Sequence, residues 1–490
     1  MIYGISLMLV YTVCFYLSIF NYASGMVKTY RGSTRTKVLR MSCMLPDPIV
    51  SGSWFAILAK SGYEGVSLPV AIEVAGEKLV AWKNPITSEW SVMQDACPHR
   101  LAPLSQGRVD PETGCIECPY HGQQFNATGV CTKIPQSSFT TFPARTSAIT
   151  LPVHSTGDLL WAYLNLPKGQ ASNYPTLPEI MMPELLETHN FFVRDLPYSF
   201  DFVMENFMDP SHLPFAHHSM QGVGVRSDGS PVPMHLLTSY DNATHLEVGY
   251  QIKILGKTQD GLASFVAPSF FHYKTQNPIT NISTVTMIAV LTPISPGSCR
   301  LFLELPVLRT FKIKIPQWLS HSTSNRFFDT DVWVHDQERT QRSGVNPFLS
   351  QAVSGDTTSQ VGKKYVLTTQ SDTGSRAWRI WWAKHMVESP VFGEPKVSVS
   401  WMSRESQLDR YENHAKHCSS CRGALDNAST VKKLVPFLAI FLAFIAPNTI
   451  IMMLGIAFSL IVNEAAELTI SSILGPDKGD VSSAAQFPTK

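Results

Sequence analysis

Two short stretches in the first third of the chain each present one thiol and one imidazole: Cys97-Pro98-His99 and Cys118-Pro119-Tyr120-His121-Gly122. Two such loops can hold a two-iron, two-sulfide cluster, with both cysteines on one iron and both histidines on the other, at a potential above that of an all-cysteine cluster. Pro98, Pro119 and Gly122 suit the tight, rigid loops this requires. The alternative use of two Cys and two His is a mononuclear zinc site, although C-x-H with C-x-x-H departs from the usual finger spacings. Cys115 and Cys131 flank the second loop and carry no assigned role.

A second constellation is Glu205-Asn206-Phe207-Met208-Asp209-Pro210-Ser211-His212, continuing through Leu213-Pro214-Phe215-Ala216 to His217. Two imidazoles and a carboxylate form the facial triad of a mononuclear ferrous site, with open positions for dioxygen and substrate. His212 and His217 are five residues apart, so on an ideal helix they would point roughly 140° away from each other. Chelation of one ion therefore requires a distortion, for which Pro214 removes a backbone donor. His218 is the bland neighbour at the same place. A third grouping, Cys418-Ser419-Ser420-Cys421, has no second pair nearby, which makes it a poor zinc site and a reasonable redox dithiol.

The elements that must position these groups fall into an α+β arrangement. At 490 residues, 44% hydrophobic and 16% charged, the chain can bury a large core and is not disordered. A net charge of +1 gives no global electrostatic case for nucleic acid. Nine cysteines, an odd number with short-spaced pairs, favour metal or redox chemistry over a disulfide framework. Residues 47–167 carry short β runs such as VSLPVAIEVAGEKLVAWKN and read as an all-β domain. Residues 168–400 alternate β runs (HLEVGYQIKI, ISTVTMIAVLTPI, CRLFLELPVL) with helical patterns at 205–220, 322–342 and 374–388, as expected of an antiparallel sheet with helices packed on it. A linker at 401–433 holds the C-x-x-C, 434–462 is the membrane run and 463–490 a polar tail. Residues 1–46 form a presequence or an N-terminal membrane anchor: no charge occurs before Lys28, and basic residues alone follow until Asp47. An apolar segment ahead of a transit-like one fits a two-stage presequence into a complex plastid. Leu434 to Val462 contains 29 uncharged residues, divided by Pro447-Asn448, and reads as one long kinked span or a re-entrant hairpin. A buried core helix is the other possibility for this run.

Over roughly Gly52 to Leu425 the sequence resembles the Rieske non-haem iron oxygenases, within the plant and algal branch that includes pheophorbide a oxygenase and the protochlorophyllide-dependent translocon component. The resemblance rests on DACPHRLAPLSQGRVD, CPYHGQQF, CTKIPQ, MENFMDPSHLPFAHH, YVLTTQSDTGSRAWRIWW and RYENHAKHCSSC. It implies an all-β Rieske domain followed by a helix-grip-like catalytic domain. Cys97, His99, Cys118 and His121 would hold the [2Fe-2S] cluster, and His212 and His217 a mononuclear Fe(II). Asp209 resembles the family's bridging carboxylate, which relays electrons between subunits of a head-to-tail ring, usually a trimer. The family takes its third iron ligand from a C-terminal helix, and among Asp329, Asp331 and Asp336 of FFDTDVWVHDQER the best match is Asp331. Two departures are visible: 18 residues separate His99 from Cys118, slightly more than usual, and Gln123 stands where an aromatic residue commonly follows His-Gly.

The implied activity is that of a monooxygenase that uses O2 and external electrons to oxidise a chlorophyll-derived tetrapyrrole, foremost pheophorbide a in chlorophyll breakdown. The alternatives are oxidation of a ring substituent of protochlorophyllide or chlorophyllide a, or a non-catalytic Rieske subunit of a plastid translocon. No flavin or nicotinamide fingerprint is present, so an external donor such as ferredoxin is expected. The Cys418 and Cys421 pair matches a C-terminal motif that the branch associates with thioredoxin control, and chlorophyllide a oxygenase generally lacks it. The expected location is a plastid membrane, envelope or thylakoid. Phe202, Phe207, Phe215, Phe270 and Phe271 are candidates for contact with a flat pigment, with core packing the expected role for most of them.

Overall fold

The computed structural model describes residues 53–164, 190–220, 224–254, 257–276, 283–306, 315–343, 366–386, 399–445 and 448–475. The presequence or anchor expected at 1–46 lies outside them.

The first domain is all β. Strands β1 (Ser53–Ala59), β2 (Val70–Val74), β3 (Glu77–Lys83), β4 (Trp90–Gln94), β5 (Arg108–Val109), β6 (Ile116–Glu117), β7 (Gln124–Phe125), β8 (Cys131–Lys133), β9 (Val153–Thr156) and β10 (Leu159–Leu164) make three small antiparallel sheets, ordered β1-β10-β9, β2-β3-β4 and β5-β6-β7-β8. The four-stranded sheet and the end of β4 carry the two thiol-imidazole loops around a separate core of Val80, Trp82, Met93, Leu104, Ile116 and Phe125. Every residue of β1 and β10 is buried, which the period of two explains. Phe55 and Ile57 point into one core while Trp54, Ala56 and Ala59 point into another, so β1 is packed on both faces.

The second domain is built on a seven-stranded antiparallel sheet, in the order β11 (Phe192–Leu196), β17 (Ser298–Glu304), β16 (Ser283–Ser295), β15 (Phe270–Gln276), β14 (Lys257–Val266), β13 (His245–Ile254) and β12 (Met234–Leu236). One face packs Phe270, Val290 and Phe302 against Trp54 and Trp161 of the β domain. The other receives helices α1 (Phe200–Phe207), α2 (Leu213–Ala216), α3 (Gln317–Asp329), α4 (Val334–Arg342) and α5 (Thr373–His385). The three β runs singled out in the sequence are β13, β16 and β17. The helical stretch expected at 205–220 is instead α1, a 3-10 turn at Pro210–His212 and the short α2, because Pro210 and Pro214 interrupt a continuous α-helix.

Short helices α6 (Arg404–Leu408) and α7 (Arg410–Asn413) lead into α8 (Ser419–Ile445) and α9 (Thr449–Leu474). The apolar run is thus two helices, the second of which starts after Asn448. Asn448 caps α9 by accepting a hydrogen bond from Ile451 N–H at 3.0 Å. Lys432 pairs with Glu467 and Gly455 faces Leu442, so the helices run antiparallel. Only 11% of the most apolar stretch of each helix is buried within the protein, unlike a helix packed inside this chain's core.

Candidate functional site

Two donor sets converge in the described residues at positions the sequence singled out. Cys97 and Cys118 are 1% and 2% exposed at the base of their loops, while the rings of His99 and His121 lie at the tip, 4.6 Å apart. Backbone hydrogen bonds close each loop: Leu101 N–H donates to Cys97 O and Gly122 N–H to Cys118 O. Gly122 needs its left-handed φ of 69°, and Leu101 adopts φ 58° despite its side chain. Burial and the neighbouring Cys118 raise the Cys97 pKa, so that thiol is not suited to ionise without a metal. Burial, then the charges of His99 and Arg100, lower the pKa of His121 and favour its neutral ring. Gln123 is buried, and the Cys97 thiol donates to its Oε1 at 3.8 Å. Leu101 and Tyr120 beside the loop tip are 73% and 59% exposed.

The second set is His212, His217 and Asp331, whose ligand atoms lie within 4.8 Å of one another. His212 Nε2 is 3.2 Å from His217 Nε2, which is 3.2 Å from Asp331 Oδ2. The 3-10 turn supplies the distortion that two histidines five residues apart require. It starts at Asp209, whose Oδ1 accepts from Ser211 N–H at 2.9 Å, with Pro210 fixing the first position. Each imidazole is aimed by its other nitrogen: His212 Nδ1–H donates to the Asp209 carbonyl, and His217 Nδ1–H to Thr330 Oγ1 at 2.8 Å. Thr330 in turn donates to Phe327 O, and the Phe327 ring stacks on His217 at 3.6 Å. Burial lowers the His217 pKa despite Asp331, so the ring is neutral and its Nε2 lone pair is free. Asp331 Oδ1 is buried with no hydrogen-bond partner, an acceptor that an ion in this pocket would satisfy.

The three acids of FFDTDVWVHDQER separate by partner. Asp329 is clamped by Arg194 at 2.6 Å and Arg410 at 2.7 Å, and Asp336 is exposed beside Arg339. Only Asp331 faces the histidines. Asp209 is half-buried, its carboxylate occupied by Ser211. Of the five phenylalanines, Phe202, Phe207, Phe270 and Phe271 are buried, whereas Phe215 is 51% exposed. His218 donates to or accepts from residues outside the pocket, including Arg226 N–H at 3.1 Å. Thr330 and Phe327 were not legible as site residues, since neither is a ligand.

Cys418 and Cys421, expected as a redox dithiol, are buried thiols with two histidines against them, His321 and His414. The hydrogen bond shared with Cys421 holds the Cys418 pKa below the ordinary thiol value, against burial and with further help from His321 and His414. The sequence places no second pair beside these thiols, and the fold brings His321 and His414 to them instead. His414, four residues before Cys418, was the available local signal.

A Rieske [2Fe-2S] domain profile matches residues 53–143, and a pheophorbide a oxygenase profile matches residues 265–346. The chain is 34% identical over 409 residues to the chloroplastic pheophorbide a oxygenase of Oryza sativa subsp. japonica, covering 78% of this chain and 74% of that one. It is 28% identical over 409 residues to the chloroplastic protochlorophyllide-dependent translocon component 52 of Arabidopsis thaliana, covering 73% and 70%. Among solved structures, dicamba monooxygenase bound to 3,6-dichlorosalicylic acid superposes with a TM-score of 0.50 at 16% identity, covering 69% of this chain and 98% of that one. This last likeness speaks for the fold.

Proposed function

The chain belongs to the pheophorbide a oxygenase family of Rieske non-haem iron oxygenases, and from that premise we propose that it opens the macrocycle of pheophorbide a with O2 and external electrons. It is an oxidoreductase with a Rieske cluster and a mononuclear iron. We assign the cluster to Cys97, His99, Cys118 and His121, and the iron to His212, His217 and Asp331. The observation that carries the reading is the convergence of two imidazole nitrogens and a buried, unpartnered carboxylate oxygen in one pocket of the chain that also holds a Rieske domain. A non-catalytic translocon subunit has no use for this second site.

When bound, the two metal groups supply single electrons and the activation of dioxygen. The protein supplies the rest. Asp209 and Thr330 hold the two imidazoles so that only their Nε2 atoms face the pocket. Phe327 seals one side of His217 from water. Phe215, exposed on the same turn, gives an apolar face against which a flat pigment can rest.

Electrons arrive from outside the chain, and a ferredoxin-type carrier is the proposed donor. The loop tip, with His99 exposed between Leu101 and Tyr120, offers an edge for docking a donor or a second copy. We assign Asp209 the bridging role in a head-to-tail trimer, on the ground that it is half-buried and its backbone carbonyl holds the His212 ring. The α8–α9 hairpin attaches the enzyme to a plastid membrane, and the chloroplastic names of its relatives support that compartment. A thioredoxin could act on Cys418 and Cys421 only when that buried segment opens.

The test is single turnover of the reduced, iron-loaded protein with pheophorbide a, protochlorophyllide a and chlorophyllide a. A ring-opened product from pheophorbide a alone is expected. Oxidation of either of the others, with pheophorbide a untouched, would move the enzyme to pigment biosynthesis.

A further inference from the structure

We propose that His321, His414, Cys418 and Cys421 form a third metal site, a closed four-coordinate centre for a zinc-type divalent ion. All four side chains are buried, and their ligand atoms lie within 4.8 Å of one another. Cys418 Sγ is 3.4 Å from His321 Nδ1, Cys421 Sγ is 3.9 Å from the same atom, and His414 Nε2 is 3.2 Å from Cys421 Sγ. A tetrahedral zinc with ordinary Zn–S and Zn–N bonds has ligand-to-ligand edges of about 3.3 to 3.8 Å, so the cage is already the size of one ion. Two sulfurs and two imidazole nitrogens select zinc over hard cations such as magnesium or calcium.

The surroundings prepare the donors. His414 Nδ1–H donates to Val193 O at 2.5 Å, which leaves its Nε2 lone pair aimed at the cage, the arrangement that metal-binding histidines use. Cys421 N–H points at Cys418 Sγ at 3.4 Å and favours a thiolate there. Phe192 lies against both imidazoles, stacked on His414 at 4.7 Å and edge-on to His321 at 5.3 Å, so the site is closed to water. A simple dithiol needs neither histidine.

The ion would join parts of the chain far apart in sequence. His321 belongs to α3, which leads to Thr330 and Asp331 at the iron pocket; His414 and Cys418 lie on the segment entering α8, and Cys421 in its first turn. The same segment touches the β domain, where Ser419 donates to Ser61 O, Arg422 donates to Gly62 O, and Gly62 admits the His417 carbonyl only because it has no side chain. The centre therefore ties the root of the membrane hairpin to the helix that presents Asp331. While the ion is bound, both sulfurs are ligands and no dithiol is available to a thioredoxin.

The experiment is metal analysis of the full chain, expressed with zinc present and purified without chelator, together with zinc-edge X-ray absorption. One zinc per chain with two sulfur and two nitrogen neighbours is expected. Absence of zinc, or zinc with no sulfur neighbour as at the His212, His217 and Asp331 pocket, would overturn the proposal. So would a Cys418–Cys421 disulfide mapped in the metal-replete protein. The double substitution C418S/C421S should lose that one equivalent of zinc with its iron content and Rieske EPR signal unchanged, and its retention of the zinc would count against the site. His321 ligates through the nitrogen nearer its backbone, so His321→Cys should keep the zinc with three sulfur neighbours, which a merely structural His321 would not do.

Discussion

At the scale of single residues, the site is governed by what the ligands lean on. Thr330 fixes the ring of His217 through Nδ1, and removing such a support typically costs 10- to 100-fold in metal affinity. Thr330→Val should therefore weaken iron retention by roughly that factor, read by titration with a ferrous chelator, with the Rieske EPR signal intact. Asp331→Ala should remove the mononuclear iron altogether and leave the cluster. Gln123 answers a different question. Its amide sits 3.8 Å from Cys97 Sγ, and once that sulfur is a ligated thiolate the amide can turn to donate its N–H. A hydrogen bond to a cluster sulfur favours the reduced state, so Gln123→Leu should lower the midpoint potential by on the order of 40 mV, the equivalent of about 1 kcal/mol for one electron. An unchanged potential in protein-film voltammetry would remove Gln123 from that role. The candidate cluster residues and both candidate iron histidines stand out in the sequence because their donors lie close together in it. Asp331 was chosen from the family resemblance alone, since three acids within eight residues look alike, and what sets Asp329 apart is Arg194 and Arg410, at 135 and 81 residues from it.

At the scale of elements, the pocket depends on how closely α5 approaches the turn that carries Asp209 and His212. Gly374 makes this possible: a Cβ there would lie 1.9 Å from Met208 O. The helix is then fixed by Trp378 donating to Asp201 O at 2.8 Å and by Arg379 on Asp201 at 2.6 Å. Gly374→Ala should push the turn out of place, with a stability loss of about 1 to 3 kcal/mol and lower iron occupancy. Full stability by denaturant unfolding would contradict that packing. The helical stretch around His212 was readable from sequence as a helix with a fault, but the form of the fault, a 3-10 turn between α1 and α2, depends on tertiary seating and was not. The terminal hairpin yields a prediction of its own. Its uncharged arms, 434–445 and 449–462, rise about 18 and 21 Å at 1.5 Å per residue, against about 30 Å of hydrocarbon. Lys432 and Glu467 pair at the charged ends of these arms, and on the membrane attachment proposed above, arms of this length are expected to enter the bilayer without crossing it. In one-sided vesicles, an Asn448→Cys label should be quenched by lipid-chain quenchers and not by a soluble quencher on the far side. Quenching from the far side would establish crossing helices.

At the scale of the whole molecule, the β domain, the catalytic sheet and the C-terminal segment meet around His417. Its Nε2 is 3.2 Å from Asp195, its Nδ1 is 2.9 Å from the Tyr63 hydroxyl, and Asp195 is bound by Arg300 at 2.7 Å. Burial lowers the His417 pKa to about 4, only partly offset by Asp195. The unfolded chain would protonate this residue near its ordinary value of about 6.5. The native state thus binds fewer protons, and the stability it contributes is complete above that value and lost as pH falls toward 4, by roughly 3 kcal/mol in all. His417→Gln should flatten that part of the stability profile, and an unaltered slope would place the titration elsewhere. How the three parts join was beyond the sequence, because the contacts of Gly62, His321 and Val193 with the C-terminal segment connect residues more than ninety apart. The domain order and the two iron centres were within its reach because each is written locally. The chain's proposed chemistry is the oxidation of a pigment by O2. The measurement that bears on it most directly is a single turnover of the reduced full-length protein with pheophorbide a under 18O2, followed by mass spectrometry of the product. One labelled oxygen per ring-opened product, with none from Asp331→Ala, is the predicted result. Unaltered pigment from protein whose cluster and mononuclear iron are both present would contradict it.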